Sequence, residues 1–180
     1  MRTVLFRTGW LAASGLLLCG VYFGVSALAS VATASDKSAM VMKGPVPPGY
    51  ERACGDCHMA YPPVLLPARS WEKLMAGLEN HFDDNAELLP DEHAKVLKYL
   101  ISNAGFEGQG LLQDMQGKAP LRITHLPEFR YEHDELSAAM TTENSGVISM
   151  SNCDACHQDT ALARFEEDMI NIPGFGSWED

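Results

Sequence analysis

The sequence predicts a mainly α-helical protein with few or no β-strands. Apolar residues recur at helical spacing in three segments between residues 70 and 136, and no segment of useful length alternates as a half-buried strand would. The chain has 180 residues, enough for one domain or two small ones. Its 46% apolar and 21% charged residues are ordinary for a globular protein and exclude a wholly disordered or fibrous chain.

Residues 1–34 predict a secretory signal peptide. Two arginines are the charges of this segment, an apolar run covers 11–28, and an A-x-A site ends at Ala34, where we expect cleavage. The alternative is an uncleaved membrane anchor, because an apolar run of 18 residues is near the lower limit for spanning a bilayer. Lipid attachment at Cys19 is disfavoured because Leu18, rather than a small residue, precedes it.

The chain is strongly acidic. Thirteen basic residues stand against 24 acidic residues, which gives a net charge of −11 with histidine neutral. Nucleic-acid binding is therefore not expected, because phosphate contacts need basic patches. We expect a small exported protein, and such proteins commonly supplement a limited core with disulfides or metals.

Four of the five cysteines lie in two short motifs that decide the functional interpretation. Motif 1 is Cys54-Gly55-Asp56-Cys57-His58, and motif 2 is Cys153-Asp154-Ala155-Cys156-His157. Cys-x-x-Cys-His is the attachment sequence of c-type haem, in which two thiols reach the two vinyl groups of one porphyrin edge and the histidine ligates the iron. At this composition a chance match is expected about 0.005 times per chain. The motifs therefore predict two haem c groups.

Other uses of paired cysteines fit the sequence less well. These are two disulfides, a four-thiolate zinc site and a redox-active dithiol. In a zinc ribbon the two pairs are usually about 15–20 residues apart, whereas 95 residues separate Cys57 from Cys153. None of these uses requires a histidine after each pair, and the predicted export agrees with haem, which is attached to c-type proteins after export.

The predicted organisation places one haem in each half of the mature chain. Residues 35–52 are expected to form a linker, because 43–49 are rich in proline and glycine. An N-terminal haem part is expected over 53–118 and a C-terminal haem part over 119–180. The glycine- and glutamine-rich segment 105–118 reads as the loop between them.

The first helix after motif 1 is predicted from Ser70 to about Phe82. Ser70 is a suitable N-cap for it. Leu74, Leu78 and His81 lie within about 60° of one another on a helical wheel. We therefore expect His81 to point into the apolar face of this helix.

Two further helices are predicted to begin with proline, at Pro90 and at Pro127, because proline is favoured at the first helical position. The apolar face of the helix from Pro90 includes His93. His133 shares one face with apolar residues at helical spacing after Pro127. A final helix is expected over 161–169.

The second axial ligand of each iron decides its chemistry. An open position would permit gas binding or peroxide activation, a methionine raises the reduction potential, and a histidine leaves it lower. We expect His81 to pair with His58 and His133 to pair with His157, because each lies about 20 residues from its motif in the chain.

Other ligand assignments stay open at this point. His93 competes for the first iron and His125 for the second, and a crossed pairing between the two sites is also possible in principle. The methionines read as core or loop residues.

These residues resemble the small dihaem cytochromes c of bacteria. The likeness is most specific over 54–63, around motif 1, and continues with supporting matches to Pro173. The resemblance implies a cytochrome-c-like N-terminal haem part and a smaller C-terminal haem-binding part. It also implies two bis-histidine haems, and the distal histidines of the family match His81 and His133.

The resemblance further implies a periplasmic electron carrier. The partners it suggests are another small c-type cytochrome and a membrane b-type cytochrome, with direct membrane contact only if the leader is retained. The sequence departs from the family at Asp83 and at Arg164, where glycine is common, and both changes are expected to affect local turns.

The first functional hypothesis is therefore a dihaem electron-transfer protein that is not an enzyme. The alternative is a haem enzyme, either a peroxidase or a small-gas reductase, with one open iron. The available distal histidines argue against an open iron, and the chain is short for a two-domain dihaem peroxidase. A third hypothesis is a haem-based sensor or structural module.

Overall fold

The computed structural model describes residues 46–115 and 117–178. The predicted signal peptide over 1–34 and the part of the predicted linker before residue 46 lie outside the described residues. No helix within the described ranges has the length and apolar character needed to span a bilayer.

Short helices and turns make up the described chain. The α-helices are α1 Pro48–Gly55, α2 Ala68–Met75, α3 Pro90–Ser102 and α4 Pro127–Tyr131. The 3-10 turns are Pro63–Leu65, Leu78–Asn80, Gly110–Leu112, Ile123–His125, Ala138–Met140, Cys153–Ala155, Thr160–Leu162 and Glu167–Met169. One antiparallel hairpin pairs β1 Asn171–Ile172 with β2 Gly176–Ser177. The prediction of a mainly helical fold with few strands is confirmed.

Proline begins three of the four described α-helices. Pro48, Pro90 and Pro127 occupy the first turns of α1, α3 and α4. The missing N–H of proline falls where a helix has no internal acceptor, and the fixed φ suits a helical start. The predicted starts at Pro90 and Pro127 are confirmed. The helix from Pro127 ends at Tyr131, however, so His133 lies in the following turn and the predicted helical face for it is wrong. The linker predicted over 35–52 ends earlier, because Pro48 starts a helix instead of preventing one.

The predicted helix from Ser70 to Phe82 is wrong at both ends. Helix α2 begins at Ala68 after Pro67, and Ser70 lies inside it with its hydroxyl buried and without a hydrogen-bond partner among the described residues. The helix ends at Met75, before a glycine with φ −128° and ψ 31°. Glycine is a poor helix former, so α2 stops one to two turns before the predicted end.

The predicted helix over 161–169 is also wrong. Two 3-10 turns, Thr160–Leu162 and Glu167–Met169, occupy this segment. Ala163 lies between them with φ +55°, in the left-handed region. A left-handed residue ends a right-handed helix, which accounts for the break.

The main hydrophobic core lies between α2, α3 and the turn at Pro63–Leu65. The buried indole of Trp71 donates to the carbonyl oxygens of Pro63 at 2.7 Å and Leu66 at 3.1 Å, which fixes this turn against α2. The same core continues into Leu126 and Phe129. One core therefore includes residues on both sides of the expected boundary between 118 and 119.

Contacts between α1 and α3 place the start of motif 1. The rings of Tyr50 and Tyr99 lie 5.2 Å apart, and Arg52 forms an ion pair with Glu92 at 2.9 Å. Cys54 lies in the last turn of α1 and packs against the core. Its position is therefore set by the docking of α1 on α3.

The loop after α3 is closed at Gly105. Its N–H donates to the carbonyl oxygen of Leu66 at 3.0 Å. A Cβ at this position would collide with the carbonyl oxygen of Val64 and meet the side chain of Leu112. The backbone therefore approaches so closely that glycine is required, and Leu112 and Met115 turn back from this loop into the core.

The region after Tyr131 has little hydrophobic core of its own. Among residues 132–178 the fully buried hydrophobic side chains are Val147 and Ile172, and neither belongs to the main core. Asn144 donates to the carbonyl oxygen of Pro173 at 2.8 Å, one of several side-chain bonds that hold the turns together. This region, which carries motif 2, relies on turns more than on packing.

Candidate functional site

Motif 1 lies at the end of α1. Cys54 is half-buried, whereas Cys57 and His58 follow the helix and are exposed. Burial, and to a lesser extent the nearby carboxylate of Glu92, raises the pKa of the Cys54 thiol to about 11. This cysteine is therefore a protonated thiol at neutral pH until it is alkylated.

The ring of His58 has a backbone partner at Nδ1 and an aromatic ring against its face. Its Nδ1 lies 2.7 Å from the carbonyl oxygen of Met59, and its face stacks on Tyr61 with ring centroids 4.7 Å apart. Because a carbonyl oxygen can only accept, Nδ1 carries the proton of a neutral ring. The lone pair of Nε2 is then available to a metal.

His81 lies in a tight turn, not on a helix as predicted. The backbones of His81 and Asp84 exchange two hydrogen bonds, of 2.7 Å and 3.2 Å. The two residues between them, Phe82 and Asp83, have φ of +56° and +80°, as in a type I′ turn. The predicted helical face is wrong because α2 ends at Met75, six residues before His81.

The tight turn nevertheless aims His81 at motif 1. The ring centroids of His81 and His58 are 6.3 Å apart, with an angle of 31° between the ring planes. Burial, and to a lesser extent His58 and Arg122, lowers the pKa of His81. The ring is therefore held in its neutral, metal-binding form.

A stack of side chains supports the turn from outside. The ring centroids of Phe82 and His81 are 4.8 Å apart in an edge-to-face arrangement. The guanidinium carbon of Arg122 lies 3.8 Å from the centroid of the Phe82 ring. A cavity of about 450 Å³, lined in part by His81, Lys73 and Arg122, opens beside them. Arg122 thus contacts the turn that carries the histidine, a role that its sequence position did not indicate.

Motif 2 begins with a 3-10 turn, Cys153–Ala155, and its two cysteines and His157 are half-buried, whereas Asp154 is exposed. Burial raises the pKa of Cys153 to about 11, with a further contribution from Asp154, and burial also raises the pKa of Cys156. The four cysteines of the two motifs are free and form no disulfide in the described chain. Both motifs therefore present unpaired thiols.

His133 and His157 face one another. Their ring centroids are 6.1 Å apart, with an angle of 64° between the ring planes. Nδ1 of His133 lies 2.7 Å from the carbonyl oxygen of Phe129, and its ring stacks on Phe129 at 4.1 Å. The ring centroids of Phe165 and His157 are 5.3 Å apart in an edge-to-face arrangement. Burial lowers the pKa of both histidines, so both are neutral at physiological pH.

The structure places the other two histidines differently. Nε2 of His93 lies 2.9 Å from the carbonyl oxygen of Met75, where it connects α3 to the end of α2. His125 is exposed at the end of a 3-10 turn that begins with the buried Ile123. In the described part of the chain, the histidines whose rings lie next to His58 and His157 are His81 and His133, those of the local pairing, and neither His93 nor His125 is among them.

Tyr61 connects the two motifs, a role that the sequence analysis did not assign. Its ring stacks on His58, and its hydroxyl donates to the carbonyl oxygen of Ser151 at 2.7 Å. Ser151 lies two residues before Cys153 and 90 residues after Tyr61. A contact between such distant positions leaves no local pattern in the sequence.

Comparisons with known proteins agree with these observations. The family model for dihaem cytochrome c matches residues 50–165. The structure is similar to the diheme cytochrome type c of Shewanella baltica OS155, with 40% identity and a TM-score of 0.63, over 74% of this chain and 100% of that chain. No curated protein sequence matches the chain.

Two structures from Rhodobacter sphaeroides are also similar. Its diheme cytochrome c is 43% identical with a TM-score of 0.59, over 67% of this chain and 97% of that chain. The DHC purified from the same organism is 42% identical with a TM-score of 0.55, over 68% of this chain and 100% of that chain.

Proposed function

The chain belongs to the dihaem cytochrome c family, and we propose that it is an exported electron carrier in which two histidines ligate each haem iron. Membership of the family implies two haem c groups, and the thiols of the two motifs are spaced to attach them. Each haem supplies a one-electron couple of iron. The protein's own residues supply the ligands of each iron and set how exposed each haem is to solvent and how the two sites contact one another.

The spacing of the facing histidines carries the proposal. With a metal–nitrogen bond of about 2.0 Å and a ring nitrogen about 1.1 Å from its centroid, two imidazoles on opposite sides of one metal have centroids roughly 6.2 Å apart. The separations of 6.3 Å between His58 and His81 and 6.1 Å between His133 and His157 match this value. Each pair leaves the space of one coordinated metal between its rings.

Hydrogen bonds at the far side of the rings support the same assignment. In each pair one histidine directs Nδ1 at a backbone carbonyl, His58 at Met59 and His133 at Phe129. Such a bond fixes the tautomer and the ring orientation and raises the basicity of Nε2 as a ligand. Two neutral imidazoles keep the potential of an iron lower than a histidine and a methionine would.

The sequence supports the location that we propose and the kind of surface expected on a partner. The leader supports export to the periplasm, and the net charge of −11 favours encounters with a basic surface. The resemblance to the family suggests the two partners that we propose, a small c-type cytochrome and a membrane b-type cytochrome, and the acidic charge would favour a basic patch on the first of them. Electrons would pass from one partner to the other through the two haems.

Removal of the distal histidines tests the ligand assignment. We expect His81→Ala to turn one haem high-spin and His133→Ala to turn the other high-spin, each without change at the remaining haem. Near-infrared magnetic circular dichroism and electron paramagnetic resonance of the oxidised protein would measure both. The matched controls are His93→Ala and His125→Ala, which should leave both haems low-spin.

The same spectra distinguish the competing functions. If a control variant becomes high-spin instead, the ligand assignment is wrong although the dihaem class stands. If the reduced wild-type protein binds carbon monoxide readily, one iron is open, and a haem enzyme replaces the electron carrier as the better interpretation.

A further inference from the structure

The side chain of Tyr61 contacts both haem-binding motifs or their immediate surroundings. The ring of Tyr61 lies against the imidazole of His58, with centroids 4.7 Å apart and planes inclined by 25°. The hydroxyl at the other end of the same ring donates to the carbonyl oxygen of Ser151 at 2.7 Å. Tyr61 therefore contacts a proposed axial ligand of the first iron and the segment that leads into motif 2.

The carbonyl oxygen of Ser151 is shared with motif 2. The sulfur of Cys153 lies 3.8 Å from the same oxygen. Once Cys153 is a thioether it has no S–H to donate, and the Tyr61 hydroxyl keeps the carbonyl satisfied. A continuous series of contacts thus runs from the ring of His58 to the sulfur of Cys153, although Ser151 lies 90 positions after Tyr61 in the chain.

We propose that Tyr61 is the bridge by which an electron passes between the two haem sites, along the His58 ring, the Tyr61 phenol, the Ser151 carbonyl and the Cys153 sulfur. The proposal rests on the electron-carrier function given above. Electronic coupling falls less steeply through bonded and hydrogen-bonded atoms than through gaps, so a side chain that closes the gap between two sites favours transfer along itself.

Tyr61 acts as a conductor and not as a redox centre. In each transfer one iron passes from ferrous to ferric and the other from ferric to ferrous, and no covalent bond forms or breaks. The Tyr61 hydroxyl donates to the backbone carbonyl oxygen of Ser151, and this arrangement needs no change of charge on the phenol.

The Tyr61→Phe variant tests the bridge because it removes the hydroxyl and keeps the ring against His58. The measurement is the rate of electron exchange between the haems, from exchange spectroscopy of the haem methyl resonances in half-reduced holoprotein. We expect the rate to fall several-fold while both oxidised haems stay low-spin.

Tyr50→Phe is the matched control, because the Tyr50 hydroxyl donates to the carbonyl oxygen of Tyr61 and lies outside the series of contacts. Its exchange rate should equal that of the wild type.

Each result has a separate meaning. A wild-type rate in Tyr61→Phe would overturn the bridge and leave the electron-carrier function standing. Equal slowing in Tyr61→Phe and Tyr50→Phe would also overturn it, because general packing would then set the rate. A wild-type protein with a high-spin haem and no exchange would contradict the proposed function itself.

Discussion

At the scale of single residues, the turn that carries His81 is strained. Phe82 and Asp83 both have positive φ, a region in which side chains other than glycine are crowded. Asparagine and glycine are the residues that such a turn favours. The departure from the family's glycine at Asp83 therefore falls on a position where the backbone itself favours glycine.

Replacing this residue should stabilise the protein. We expect Asp83→Gly to raise the free energy of unfolding by about 1 kcal/mol, because it relieves the left-handed strain at φ +80°. Denaturant unfolding of the holoprotein would measure the change. Asp84→Gly is the control with the same loss of charge at a neighbouring exposed residue outside the left-handed set, and it should not stabilise. Equal gains in both variants would show that charge, not strain, is responsible.

Residue chemistry made much of the site predictable from the sequence. The two Cys-x-x-Cys-His motifs mark the four candidate attachment cysteines, because the spacing of the two thiols fits the two vinyl groups of a haem. His81 was selected for an incorrect reason, as a member of a helical face, and yet it lies opposite His58. Turn geometry, which depends on where a helix stops, decided its orientation. The contact of Tyr61 with Ser151 could not be predicted because only tertiary folding brings these positions together.

At the scale of elements, starts were more predictable than ends. Proline fixes φ, so Pro90 and Pro127 mark helix starts that local chemistry alone determines. The ends of α2 and the break at Ala163 depend on how the following turns pack. Helix propensity is a weak preference that tertiary packing can override. The periodicity of apolar residues alone therefore predicted helices that were too long.

The closure of the loop after α3 gives an element-scale prediction. We expect Gly105→Ala to lower the free energy of unfolding by about 2 kcal/mol or more, because the new Cβ would collide with the backbone of Val64. Thermal unfolding monitored by circular dichroism would show this. The control is Gly77→Ala, whose Cβ would lie 3.8 Å from its nearest neighbour, the carbonyl oxygen of Lys73, and should change stability little. A mild effect at Gly105 would mean that the loop shifts easily.

At the scale of the whole molecule, charge should govern encounters. With a net charge of −11, the second-order rate of reduction by a basic monohaem cytochrome c should fall as ionic strength rises, because the Debye length shrinks to about 10 Å at 0.1 M salt. Stopped-flow mixing over a range of salt concentrations would measure the slope. An acidic cytochrome of similar potential is the control and should show the opposite slope. A flat salt dependence with the basic partner would contradict electrostatic steering.

Because the hydrophobic core is larger in the N-terminal region than in residues 132–178, we expect the folded state of the C-terminal region to depend more strongly on its haem. In a variant with Cys153→Ala and Cys156→Ala, residues 132–178 should exchange amide hydrogens much faster, because few buried side chains hold this region. Helices α2 and α3 should stay protected, since the main core lies between them. Hydrogen exchange with mass spectrometry would map both regions. Equal loss of protection throughout the chain would show that the protein folds as one cooperative unit.

The thin core of the C-terminal region also bears on how such a protein matures. A region with so few buried side chains would complete its folding after the cofactor binds, whereas the region that contains α2 and α3 can fold earlier. The second pair of thiols would then stay within reach of the ligation enzyme until its work is done. Thioether formation would fix the cofactor to this region before the region finishes folding.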